Sequence, residues 1–378
     1  MTTSAKKRFD AAAVQKWITK ERVADRLQTG VLEIQRFGEA VCSEVFGEVT
    51  LGGEKVTRDT KYWIASMTKP VISVAAMKLV EQGDLSLTDA VRTFVPGFGA
   101  KGVLTSSGKL DSVRRDPTVL DLMLHTSGLT YGFSGTGPIH EQYQIDAVYN
   151  YRSTNAEVAS RLARLPLIHQ PGTTFEYGMS TDILGYVIEV VTGLQLDDAL
   201  EELILGPLGM KDTTFLPDRS RVAQIPDSPI RDTLMPIMAP EQTWWSGGAG
   251  LFSTVPDYLR FARMLIHGGE LISTETLALM RQDHLPSDVA YGAYTEKLGI
   301  TAPWAKNGLG FGLGFAVRTA ERPGLPGGVG EFFWAGVSGA NFWVDPKNEL
   351  IAVFLTHAPD HRCEHRIGFR NAVYAGLT

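Results

Sequence analysis

Apolar, β-branched runs sit at the two ends of this chain, and amphipathic helical patterns lie between them. Residues 31–37 and 41–46 read as two short strands joined by a turn at Gly38-Glu39. Residues 311–317, 330–334, 340–344 and 350–356 read as further strands, divided by glycines and by the turn Asp345-Pro-Lys-Asn348. The economical way to cover all of them is one antiparallel sheet drawn from both termini, with a helical region inserted between. The expected class is therefore α+β. Residues 1–95 with 305–378 would form the sheet domain, and 96–304 the mostly helical one, with a cleft between them.

The helical patterns are specific enough to place. One covers residues 9–27, with Val14, Trp17, Ile18 and Val23 among charges. A strongly apolar one runs to Glu81 and stops at Gly83. Asp116-Pro117 opens a short helix that ends before Ser127-Gly128, and residues 155–165 form another. Residues 182–192 put Ile183, Leu184, Val187, Ile188 and Val191 on one face, with Gly193 as terminator. Residues 254–266 and a last stretch at 364–374 complete the set.

The composition excludes several classes. With 44% hydrophobic and 21% charged residues, the chain reads as an ordinary globular protein. Its formal net charge of −6, with no basic stripe, gives nucleic acid nothing to bind. No apolar stretch is long enough to span a membrane, and no apolar leader follows the basic start Lys6-Lys-Arg8. Two cysteines, Cys42 and Cys363, are too few for a disulfide framework and read as reduced thiols. The expected location is cytoplasmic.

Chemistry enters at Ser66-Met-Thr-Lys69-Pro70. Proline fits only the first turn of a helix, so Ser66 lies at or beside a helix N-terminus. Residues three apart share a helix face, which brings the Lys69 amine to the Ser66 hydroxyl. Free N–H groups at that terminus would stabilise an oxyanion. A serine needs a base to become a nucleophile. Lys69 serves if its environment releases its proton, and a tyrosine beside the ammonium is the alternative. Tyr177 is the candidate, on a loop behind the Pro171-Gly172 turn and ahead of the buried 182–192 helix. Gly336, after a strand run, would let a ligand approach the backbone.

Taken together these segments resemble the serine β-lactamase and penicillin-binding-protein superfamily, in particular its class C-like branch and the family VIII esterases. The resemblance rests on Ser66-Met-Thr-Lys69, His125-Thr-Ser-Gly-Leu129, Pro171-Gly-Thr-Thr-Phe-Glu-Tyr177, Gly247-Gly-Ala-Gly-Leu-Phe-Ser-Thr254 and Gly310-Phe-Gly-Leu-Gly-Phe315, in this order along nearly the whole chain. It implies a β-lactamase/transpeptidase-like fold and an acyl-enzyme on Ser66, with Lys69 and Tyr177 sharing the proton transfers. The third family motif falls on Trp334-Ala335-Gly336. The backbone N–H groups of Ser66 and Val337 would form the oxyanion hole. No metal or organic cofactor is implied.

Two departures bear on the substrate. The family's Tyr-x-Asn is here Tyr177-Gly178-Met179, and Met179 cannot donate a hydrogen bond to an amide. The lysine of the third motif, which draws in an antibiotic's carboxylate, is here Trp334. Both favour small esters over β-lactams and D-alanyl peptides. Tyr131, Met179 and Trp334 would wall a pocket for short or medium acyl chains. Such a site catalyses hydrolysis, or acyl transfer when an alcohol replaces water.

Other readings weigh less. Ser66 as a mere cap, Lys69 as a solvated lysine and Tyr177 as core filling would leave the ordered motifs unexplained. A non-catalytic binding module need not keep all three residues. Gly336-Val-Ser338-Gly-Ala340 nearly spells a nucleophile elbow, but a strand follows instead of a helix. His361-Arg-Cys-Glu364-His365 matches an inverted zinc-protease motif, yet no acidic residue follows Glu364 to complete the ligands.

Overall fold

The computed structural model describes residues 9–49, 53–105, 107–146, 148–227 and 241–377. The chain opens with α1 (Ala12–Val23), β1 (Gly30–Arg36) and β2 (Glu39–Phe46). Helix α2 (Thr68–Gln82) follows. The middle carries α3 (Val119–Met123), α4 (Pro138–Ile145), α5 (Asn155–Ala163), α6 (Ser180–Thr192) and α7 (Leu196–Leu200). Then come α8 (Val255–His267) and α9 (Thr274–Met280). The last part holds β3 (Leu309–Phe311), β4 (Ala316–Arg318), β5 (Phe332–Ala335), β6 (Gly339–Asp345), β7 (Leu350–His357) and α10 (Arg362–Ala375).

These seven strands form one antiparallel sheet in the order β2-β1-β7-β6-β5-β4-β3. The first hairpin joins the last strand, with Val31 opposite Leu355 and Arg36 opposite Leu350. Both faces are covered, which explains why β6 and β7 are buried at every position. Adjacent residues of β6 show the two sides. Phe342 meets Tyr258 of α8 at 5.0 Å between ring centroids, and Trp343 meets Phe369 of α10 at 5.3 Å. Trp17 of α1 packs with Phe369 on the α10 side.

Several expectations shift in detail. The run 311–317 is two strands, because the chain reverses between Gly312 and Phe315 and the Gly312 N–H bonds the Phe315 carbonyl at 2.9 Å. The helix expected from Asp116-Pro117 starts at Val119. Thr118 caps it, in a reciprocal box with Asp121. The first turn is Phe37-Gly38, both in the left-handed region, so β2 begins at Glu39. Helices α4, α7 and α9 were not anticipated. Both cysteines are free thiols. No helix among the described residues is long and apolar enough to cross a membrane.

Candidate active site

The strand pair Tyr62–Trp63 and Phe252–Ser253 leads into a single 3₁₀ turn, Ala65–Met67, which runs on into α2. Pro70 occupies the first turn of α2, where its missing N–H costs nothing. Ala65 holds a left-handed backbone, φ 47°, immediately before Ser66. Such a conformation is strained for a residue with a Cβ and is kept only where surrounding packing imposes it. Ser66 faces a cavity of about 570 Å³.

Lys69 follows one turn later and is buried, with 1% of its surface exposed. Its Nζ makes three contacts: Ser66 Oγ at 3.3 Å, Tyr131 Oη at 3.0 Å and the Gly248 carbonyl at 2.6 Å. A carbonyl can only accept, so one Lys69 N–H points at Gly248. Burial pushes the Tyr131 phenol well above its ordinary range, so it stays protonated. A neutral Lys69 amine would satisfy Gly248 and Tyr131 with its two N–H groups and turn its lone pair toward Ser66.

Tyr177 sits where the sequence placed it, on the loop between strand Thr174–Phe175 and α6. The Lys69 Nζ lies over its ring, 4.8 Å from the centroid. The Tyr177 hydroxyl accepts from Trp334 Nε1 at 3.2 Å. His125 backs the ring at 4.7 Å and Tyr294 stacks on it at 6.2 Å. The phenol directly bonded to Lys69 is Tyr131, which sequence reasoning had placed only at the pocket wall.

A buried carboxylate holds the Gly248 peptide whose carbonyl accepts from Lys69. Asp182 Oδ1 accepts from Ser246 Oγ at 2.6 Å and from the Gly248 N–H at 3.1 Å. A Cβ on Gly248 would stand 2.5 Å from Asp182 Oδ2, so only glycine fits there. Burial raises the Asp182 carboxyl, and Lys69 opposes that shift. Asp182, Ser246 and Gly248 are the site residues the sequence did not reveal. Gly248 left a trace in the Gly247–Thr254 segment, and Asp182 was visible only as the first residue of the 182–192 helix.

The remaining expected residues divide. Trp334 on β5 and Val337 line the cavity. Met179 does not: it is fully buried in the core just ahead of α6. Its backbone already has φ −77° and ψ 13°, so it does not share the face of Tyr177 as it would in an extended strand. Gly336 also lies off the cavity wall. A side chain there would run into the Ile64 carbonyl, so its smallness serves the packing of β5 on the Ser66 turn. The Val337 N–H finds no hydrogen-bond acceptor among the described residues. Ser66 is in the first turn of its 3₁₀ helix, where amides lack internal partners.

Ser338 is buried in a turn between strands, its Oγ 3.4 Å from the Ala340 N–H. His365 is buried against Glu21, 3.5 Å away. No cluster of three metal-ligating side chains exists among the described residues. Aromatic side chains dominate the cavity wall, including Trp63, Tyr131, Phe133, Tyr149, Trp244 and Tyr294.

Known proteins share this frame. Esterase EstB of Burkholderia gladioli is 29% identical, over 93% of this chain and 91% of its own. Protein Rv1367c of Mycobacterium tuberculosis is 38% identical, over 82% of this chain and 80% of its own. The structure of EstCE1, described as a hydrolase with promiscuous acyltransferase activity, superposes with a TM-score of 0.83 at 27% identity, covering 96% of this chain and 98% of that one. The Beta-lactamase family model matches residues 14–374, and the chain belongs to that family.

Proposed function

We propose that the protein is a serine carboxylesterase working through an acyl-enzyme on Ser66. The observation that carries this reading is the Lys69 amine on the Ser66 hydroxyl, buried at the base of an aromatic cavity. Its likeness to EstB and EstCE1 supports an esterase over a lactamase.

Lys69 is the base for the first step. It takes the Ser66 proton as Oγ bonds to the ester carbonyl carbon. The resulting oxyanion is received by the N–H groups of Ser66 and Val337. As the carbon–oxygen bond to the alcohol breaks, that oxygen takes a proton from Tyr177 or from the Lys69 ammonium. Water then repeats the sequence on the acyl-enzyme, and an alcohol in its place gives acyl transfer. Trp334 Nε1 orients the Tyr177 hydroxyl.

Trp334 stands where a lysine would attract a carboxylate, and the aromatic wall suits acyl groups of short or medium length, with Lys297, Arg362 and Arg366 lining the same cavity. The two free thiols fit a reducing compartment, which we take to be the cytoplasm. The test is steady-state hydrolysis of p-nitrophenyl butyrate and nitrocefin by the wild type and by Ser66→Ala. The expected result is butyrate hydrolysis at least about 100-fold faster in kcat/KM than nitrocefin, abolished by Ser66→Ala. Equal rates on both would overturn the ester preference, and an active Ser66→Ala would overturn the mechanism.

A further inference from the structure

The peptide joining Gly336 to Val337 has two ends with different fates. Its carbonyl oxygen accepts from the Gly339 N–H at 3.1 Å and from Arg366 Nη2 at 2.7 Å. Its N–H, on Val337, has no acceptor among the described residues, and Val337 lines the cavity beside Ser66. In a planar trans peptide the C=O and N–H point in opposite directions, so whatever fixes the oxygen also aims the N–H.

The turn is tied at other points as well. Gly336 N donates to the Ala340 carbonyl at 2.7 Å, and Ala358 N donates to the Ser338 carbonyl at 2.8 Å. Those bonds are neutral, whereas Arg366 brings a charge. It projects from α10, and the residue is 9% exposed. Charge-assisted hydrogen bonds are shorter and stronger than neutral ones. A cation on an amide oxygen also polarises the amide, which makes its N–H a better donor in a low-dielectric site.

We propose that Arg366 is a positioning residue for the oxyanion hole: its guanidinium holds the Gly336 carbonyl so that the Val337 N–H is aimed into the cavity and polarised toward the developing oxyanion. This rests on the reading of Ser66 as nucleophile. Arg366 acts through the peptide and takes no proton. Because Arg366 also borders the cavity, its competing role is to bind an anionic group of the substrate, and the two roles give different kinetics.

The experiment compares wild type, Arg366→Met, Arg366→Lys, Val337→Pro, Ser66→Ala and the Arg366→Met/Val337→Pro pair. Proline suits the second position of the Gly336–Gly339 turn and removes the N–H, and Val337→Ala, which trims the side chain but keeps the N–H, is assayed beside it as the control for the lost isopropyl group. Each full-length variant is assayed on p-nitrophenyl butyrate and on mono-p-nitrophenyl glutarate, which carries a carboxylate. Val337→Pro is expected to lose about 100-fold in kcat, the usual cost of one oxyanion donor. Arg366→Met is expected to lose about 10-fold in kcat on both esters, with KM within about twofold. Arg366→Lys should recover part of that loss, and the double variant should be no slower than Val337→Pro alone.

Unchanged kcat in Arg366→Met, a loss confined to KM for the glutarate ester, or additive losses in the double variant would overturn the inference. If Arg366→Met fails to fold, Arg366→Lys and Arg366→Gln carry the same decision at matched thermal midpoints: a kcat loss on both esters supports it, and wild-type kcat overturns it. An inactive Ser66→Ala beside a fully active Arg366→Met sinks this inference alone. Activity surviving Ser66→Ala sinks the reading beneath it.

Discussion

The indole N–H of Trp334 donates to the hydroxyl of Tyr177 across 3.2 Å, joining β5 to the loop ahead of α6. Trp334 is both apolar wall and hydrogen-bond donor. Trp334→Phe keeps the wall and removes the donor. We expect kcat on p-nitrophenyl butyrate to fall about 10-fold, the scale of one lost hydrogen bond, with KM nearly unchanged. Steady-state kinetics check this, and a change in KM alone would assign Trp334 to binding only.

Tyr131 and the Gly248 carbonyl both receive hydrogen bonds from the Lys69 amine, beside its contact with Ser66. Tyr131→Phe deprives one N–H of its acceptor in a buried place. The expected outcome is a drop in kcat of about 10-fold or more. Lys69→Met fills the same space without the amine and should lose about 1,000-fold, consistent with a missing general base. Pre-steady-state release of p-nitrophenol measures both.

Asp182 pins the Gly248 segment from α6. Asp182→Ala leaves the Ser246 hydroxyl and the Gly248 N–H without their acceptor. We expect a loss of about 2 kcal/mol in stability, read as a lower urea midpoint, together with reduced kcat. Gly248→Ala should act in the same direction, because its Cβ would meet the Asp182 carboxylate. A stable, fully active Asp182→Ala would remove Asp182 from the site.

Three buried histidines make stability depend on pH, and burial holds His125 well below the ordinary imidazole range. Burial pushes His357 and His365 each down to about 4. The unfolded chain takes up these protons near pH 6.5, so the folded state binds fewer protons between about 6.5 and 4. Their contribution is complete above that window and is lost as pH falls through it, by up to about 3 kcal/mol per histidine. His357 matters most for the site, because its Nε2 accepts from the Trp63 N–H at 3.0 Å, just ahead of Ser66. Urea midpoints at pH 7.5, 6.0 and 5.0 should decline in that order. In His357→Gln, weaker at neutral pH, the decline should be shallower. A flat profile would contradict the assignment.

What the sequence made legible follows from where its constraints are local. The sheet could be read because β6 and β7 are covered on both faces and therefore run as unbroken apolar stretches. Ser66 and Lys69 could be read because three residues make one helical turn and Pro70 marks its start. Tyr131 was seen as a pocket wall but not as the partner of Lys69, 62 residues away, since no periodicity links them. Asp182 and Gly248 escaped for the same reason: their bond spans 66 residues and depends on glycine-only packing. Met179 was misplaced because it was put at the pocket by its position in the motif Tyr177-Gly178-Met179, whereas here the chain is already turning into α6 and buries the side chain in the core.

The central claim is that Ser66 is the nucleophile. Intact-protein mass spectrometry after a fluorophosphonate probe tests it most directly. The account predicts one adduct per chain in the wild type, mapped by peptide digestion to the segment holding Ser66, and none in Ser66→Ala. An adduct retained in Ser66→Ala, or mapped to Ser338, would contradict it.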